Sequence, residues 1–94
     1  MDRNALRSAL TDAFAADPAE LDEVVRAASD LADSGRLVAD LDVAVTPAVV
    51  VSHLRDAPGG GLADRWNWWM GSLEIAFGGY RRFEVRTWEP REDQ

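Results

Sequence analysis

The chain has no cysteine, no lysine and one histidine. The missing cysteine excludes a disulfide scaffold, a thiolate metal site and a cysteine nucleophile. With lysine also absent and His53 alone, any catalytic repertoire narrows to carboxylates and arginine. No apolar run approaches the roughly 18 residues of a membrane span. The acidic, amphipathic start lacks the apolar core of a signal peptide. There is no internal repeat, linker or low-complexity segment. These absences lead us to expect a cytoplasmic protein that is not an enzyme and has no cofactor, no metal and no membrane contact. The missing cysteine suits a reducing compartment.

What remains is 94 residues, 47% of them apolar. A chain this short buries roughly 64% of its unfolded surface, enough for one modest core. We therefore expect a single domain over residues 1–94. The net charge is −7 and unevenly spread. Residues 1–47 hold ten acids and four arginines, and residues 48–94 hold seven acids and six arginines. The acidic half disfavours nucleic acid and anionic membranes as partners. Ten arginines without lysine, beside 15 alanines and 11 aspartates, resemble the composition of proteins from GC-rich genomes. The acidic excess further resembles proteins of salt-loving archaea, and an actinobacterial source would look similar. At such salt, exposed ion pairs are screened within about 3 Å and apolar contacts matter more.

Along the chain, residues 2–16 read as a helix. Leu6, Ala9, Leu10, Ala13 and Phe14 share one face, and Asp2 is placed to cap it. Residues 18–34 read as a second helix, with Asp17 as N-cap, Pro18 in the first turn and Gly35 as terminator. Glu20, three residues after Asp17, suggests a capping box. The short link predicts an antiparallel helical hairpin. Leu37, Ala39, Leu41, Val43 and Val45 recur at every second position, with Asp40 and Asp42 between, which predicts a strand over 36–45. Thr46-Pro47 restarts a helix carrying Val50, Val51 and Leu54. Asp56 to Gly61 is a break.

Residues 62–88 carry two patterns. A helix from Leu62 to Phe77 aligns Leu62, Trp66, Trp69, Met70, Leu73 and Phe77. A hairpin turning at residues 78–80 instead sets Ile75 opposite Phe83 and Leu73 opposite Val85. The reading adopted is a short helix over 62–70, then a hairpin over 72–88, with a polar tail after Trp88. The expected fold is thus α+β: an N-terminal helical hairpin on a small, mostly antiparallel sheet ending in a C-terminal β-hairpin. A mainly α fold with a single C-terminal strand is the alternative.

No motif carries chemistry. His53 has no neighbouring carboxylate or second histidine to make a base or a metal ligand. Ser52 beside it lacks the G-x-S-x-G elbow. Gly59-Gly60-Gly61 precedes a helix, but no phosphate-loop pattern follows and Asp64 would occupy the same positive end. Asp40-Leu41-Asp42 lacks calcium-loop spacing.

The unusual feature is Trp66, Trp68, Trp69 and Trp88, three of them within four positions. No helix or strand buries all three on one face, so one should be exposed or covered from outside. Arg81, Arg82 and Arg86 lie beside Tyr80, Phe83 and Trp88, an interleaving that serves single-strand binding or, more simply, stacking and pairing within a hairpin. We expect a small intracellular protein-interaction module, with a protein partner or self-association as a homodimer. Trp66, Trp68, Trp69, Arg81, Arg82 and Trp88 are its candidate partner-binding residues. The element order from residue 18 also resembles the winged-helix family, which would imply a DNA-binding regulator. That resemblance would make residues 63–69 the recognition helix and set Arg81 and Arg82 near the wing.

Overall fold

The computed structural model describes residues 1–86. It contains α1 (Arg3–Ala13), α2 (Pro18–Ser34), α3 (Arg36–Leu41), α4 (Pro47–Arg55), α5 (Leu62–Phe77) and a 3-10 turn at Arg81–Phe83. Among the described residues there is no strand, so the α+β expectation is overturned and the mainly α alternative fits.

Local signals set the first helices. The Asp2 carboxylate accepts the N–H groups of Asn4 and Ala5 and caps α1. The helix stops at Ala13, three residues short of the expected end, and Phe14 is extended. Pro18 opens α2, and Gly35, left-handed at φ 71°, closes it. Arg3 donates to Ser29 at 2.8 Å and Arg7 pairs with Asp22 at 2.6 Å, so α1 and α2 run antiparallel. Thr46 Oγ1 accepts the N–H of Val49 and starts α4 one residue before Pro47.

The predicted strand over 36–45 is instead α3 followed by an irregular link. A strand needs a paired neighbour for its main-chain groups, and none is present among the described residues. The polar members of the segment carry the helix. Arg36 and Asp40, one turn apart, both reach the chain after α5. Leu37 alone is fully buried, while Leu41 and Val38 stay largely exposed. Asp42, left-handed at φ 58°, ends α3.

The predicted hairpin over 72–88 is the second correction. The helix begun at Leu62 continues through Gly71 to Phe77 and does not yield to a strand. Its buried stripe of Leu62, Trp66, Trp69, Met70 and Leu73 follows the period of a helix, while Phe77 at its end is exposed. The chain does reverse at Gly78 and Gly79, both at positive φ. A Cβ on Gly79 would run into the Arg36 guanidinium, which bonds the carbonyls of Gly78 at 2.7 Å and Gly79 at 3.2 Å. The returning segment, residues 80–86, is called the strap. The element order of a winged helix, with its strand and wing, is therefore not found among the described residues.

One core joins all these elements. α2 packs on α1, α3, α5 and the 3-10 turn, and α4 fills the gap between α1 and α5. Leu6, Leu10, Val24, Val25, Ala28, Leu31, Val50, Leu54, Trp66, Met70 and Tyr80 meet there.

Candidate functional site

The site is α5 and what it holds. Its N-terminus is built from elsewhere in the chain. Glu20, buried on α2, accepts the N–H of Ala63 at 2.8 Å. Asp17 makes no side-chain cap bond, so the capping box expected within α2 is replaced by a carboxylate that caps a different helix. Asp64 accepts the N–H of Gly61 at 3.3 Å. Two carboxylates thus occupy the positive end that a phosphate would need. Gly60, at φ 93°, leaves no room for a Cβ, which would lie 2.8 Å from Asp64 Cβ. Arg65 turns back and bonds the carbonyls of Gly60 and Leu54 at 3.0 Å each. Its guanidinium also lies 5.3 Å from the Phe14 ring centroid.

From there the helix sorts Trp66-Asn67-Trp68-Trp69 by direction. Trp66 is fully buried, and its Nε1–H donates to the Phe83 carbonyl at 2.8 Å. Trp69 is buried edge-on to Trp66, with centroids 5.5 Å apart, and stacks flat on His53 at 4.6 Å. Asn67 turns to the strap. Its Nδ2–H donates to the Val85 carbonyl at 2.7 Å and its Oδ1 accepts the Val85 N–H at 2.8 Å. This is one rung of strand-like pairing, supplied by a side chain. Trp68 points away from all of these and is 38% exposed.

The strap runs antiparallel to α5. Two turns beyond Asn67, Glu74 Oε1 accepts the N–H groups of Tyr80 at 2.8 Å and Arg81 at 3.0 Å. Those two main-chain donors, helped by the Arg81 charge, hold the Glu74 carboxyl below its ordinary value. Tyr80 is fully buried, and its hydroxyl donates to Asp40 at 2.7 Å. Burial first, then the Asp40 carboxylate, pushes the phenol from 10 up to about 12. Arg36 lies 4.9 Å over the Tyr80 ring and 3.4 Å from Asp40, which keeps that carboxylate compensated. Phe83 is buried against Tyr80, with centroids 6.2 Å apart.

The candidate residues are therefore not one surface. Trp66 and Trp69 are spent on the core and on holding the strap and His53. Trp68 is the exposed member. Arg81 and Arg82 are exposed on the 3-10 turn, and Arg82 lies 4.7 Å from the Phe83 ring centroid. Trp88 lies outside the described residues. On the outer stripe of α5, Ile75 stands seven residues after Trp68 and is 89% exposed. Gly71 and Ser72 lie between them. Among the described residues, no three His, Cys, Asp or Glu side chains gather as a metal site, and no helix is long and apolar enough to cross a membrane.

Sequence reasoning missed Asn67, Glu20, Glu74 and Arg36. Asn67 carried a signal: it is a weak helix former inside a helix, in a place where apolar neighbours should dominate. Glu20 reads only as a local capping-box residue of α2, whereas it caps α5. Glu74 and Arg36 look like solvated charges, and nothing local marks them.

The model of the WNWW domain family matches residues 1–74, and the chain belongs to that family. The four letters coincide with residues 66–69. No curated protein and no solved structure matches the chain.

Proposed function

We propose that this member of the WNWW domain family is a protein-interaction module that docks through the outer stripe of α5, with Trp68 and Ile75 as its contact residues. The observation that supports this most is the division of labour within residues 66–69. Three of the four side chains are consumed by the fold, and Trp68 alone is left facing out. An exposed tryptophan two turns from an exposed isoleucine offers the large, rotamer-poor apolar contact that dominates binding hot spots. Gly71 and Ser72 leave a shallow floor between them. A Cβ on Gly71 would meet nothing within 4 Å, so this chain's own packing does not require the glycine. The stripe carries no charge, unlike most of an acidic surface. The proposal assigns no catalysis and places the module in the cytoplasm, where its lack of cysteine is at home.

Self-association is favoured by one further observation. The order of large, small, small, large along residues 68, 71, 72 and 75 reads the same in both directions. A second copy laid antiparallel would set Trp68 against the partner's Ile75 at both ends, as a two-fold interface requires. The test is molar mass by light scattering across a concentration series, with tagged capture from source-cell lysate in parallel. Trp68→Ala should abolish the dimer or the captured band, and Arg55→Ala on α4 should leave it intact. A monomer whose captured band is equally strong with Trp68→Ala refutes the reading.

A further inference from the structure

We propose that the groove between α2 and α5 is a second binding site, independent of the Trp68 face, for an extended basic peptide with an aromatic anchor. This chain's own strap occupies it in cis. Three hydrogen bonds secure the strap between Phe83 and Val85, and all three end on main-chain atoms: Phe83 O, Val85 O and Val85 N. Trp66 and Asn67 thus bond main-chain atoms on either side of Glu84 and make no hydrogen bond to the side chains at 84 and 85. Glu84, between the two contacts, is extended at φ −68° and ψ 154°. Phe83 buries its side chain here and Val85 packs in part against the core. Tyr80, at the strap's other end, is held separately by Asp40. Around Phe83, a device that reads main chain and an aromatic ring is not limited to a single sequence, as in strand-type peptide recognition.

Two more observations point the same way. On the side of the strap that faces α2, a cavity of about 290 Å³ lies open between the strap and that helix. Glu23, Arg26 and Asp30 of α2 line one side, and Arg82, Glu84 and Arg86 of the strap line the other. The acid-base-acid order on α2 complements the base-acid-base order on the strap. Residues 80–86 carry three arginines against one glutamate, a net +2 in a chain whose total is −7. The cis occupant is thus the kind of segment that an acidic domain attracts. In addition, the family match covers Trp66, Asn67 and all of α2, and ends at residue 74, before the strap begins. The receptor lies within the matched residues and its occupant lies outside them.

A tethered occupant competes at an effective concentration on the order of millimolar, so a free peptide binds weakly until the strap is loosened. The probe is a fluorescein-labelled synthetic peptide of residues 80–86, titrated by anisotropy into the full-length chain. Phe83→Ala removes the cis anchor and should bind the peptide at least about tenfold more tightly than the unaltered chain. Adding Asn67→Ala should abolish that gain, and the same peptide carrying Phe83→Ala, which lacks the aromatic anchor, should not bind. The proposal is overturned if the Phe83→Ala chain unfolds cooperatively yet gains no affinity. It is equally overturned if the gain survives Asn67→Ala or is matched by the peptide carrying Phe83→Ala. Should Phe83→Ala fail to fold, Val85→Pro serves in its place. It deletes the strap N–H that Asn67 accepts, keeps Phe83, and is read by the same criteria.

Discussion

The α1–α2 hairpin and the α5–strap unit sit side by side in one core but are held by different kinds of bond. In the hairpin the helix starts and stops are set within a few residues: Asp2, Pro18 and Gly35 act on their immediate neighbours. Its two cross-helix polar contacts, Arg3 to Ser29 and Arg7 to Asp22, supplement an apolar stripe on each helix. In the α5–strap unit the decisive contacts join residues far apart in sequence. Glu20 reaches 43 residues to Ala63, Trp66 reaches 17 to Phe83, and Asn67 reaches 18 to Val85. Local bonds decide where a helix begins. Long-range side-chain-to-main-chain bonds decide what the chain does once the helix ends.

That contrast can be broken most directly at Trp66. Trp66→Ala opens a cavity at the junction of core and strap and leaves the Phe83 carbonyl without its donor. Urea unfolding should show a loss of about 3–5 kcal/mol. A loss below about 1 kcal/mol would mean that the strap and core are not coupled through this residue. The next test compares two carboxylates. Glu20→Ala should cost about 1–2 kcal/mol, since it uncaps α5. Asp17→Ala, at the position that the sequence favours as a cap, should stay within about 0.5 kcal/mol. Equal losses would erase the distinction between local and long-range capping.

Tyr80→Phe should cost about 1 kcal/mol by removing the bond to Asp40. It also carries a pH signature. The phenol is raised from 10 to about 12 in the fold, so its stabilisation is complete below pH 10. It is then lost as pH rises from 10 through about 12. Tyr80→Phe should flatten that alkaline decline in the urea midpoint, and an unchanged slope would sink the assignment. Glu74 works in the opposite window. Its carboxyl is lowered from 4.5, so its contribution is present above that pH and fades as pH falls below it. Glu74→Gln should leave a shallower acid limb. The smallest effect is expected at Trp68, where Trp68→Ala should change stability by no more than about 0.5 kcal/mol. A larger loss would move Trp68 into the structural set and remove the main support for the proposed docking face.

The helices were legible wherever caps and apolar period agreed. Thr46-Pro47 marked α4 even though three successive valines favour strands. Three strands were expected, one over 36–45 and two in the hairpin over 72–88, and none is found among the described residues. Residues 36–45 alternate in hydropathy, but alternation fits a short helix with one buried leucine equally well, and the arbiter was Arg36 and Asp40 reaching the chain after α5. Residues 72–88 offered a register that matched apolar with apolar. The reversal at Gly78 and Gly79 was correctly located, but both arms were misread. For the site, the geometric argument that one tryptophan of residues 66–69 must face outward was sound, and the structure identifies it as Trp68.

The sequence by itself determined an acidic chain with no thiol or lysine chemistry, its first two helices with their antiparallel turn, and the breaks at residues 56–61 and 78–79. These depend on composition, on backbone sterics at proline and glycine, and on periodicity over a few turns. Only the tertiary structure decided that α5 runs to Phe77, that Glu20 caps it, and that Asn67 pairs with a strap instead of a second strand. Those outcomes turn on which buried main-chain donors and acceptors lack a partner once the helices have packed. That is a property of the assembled core, written in no single stretch of the chain.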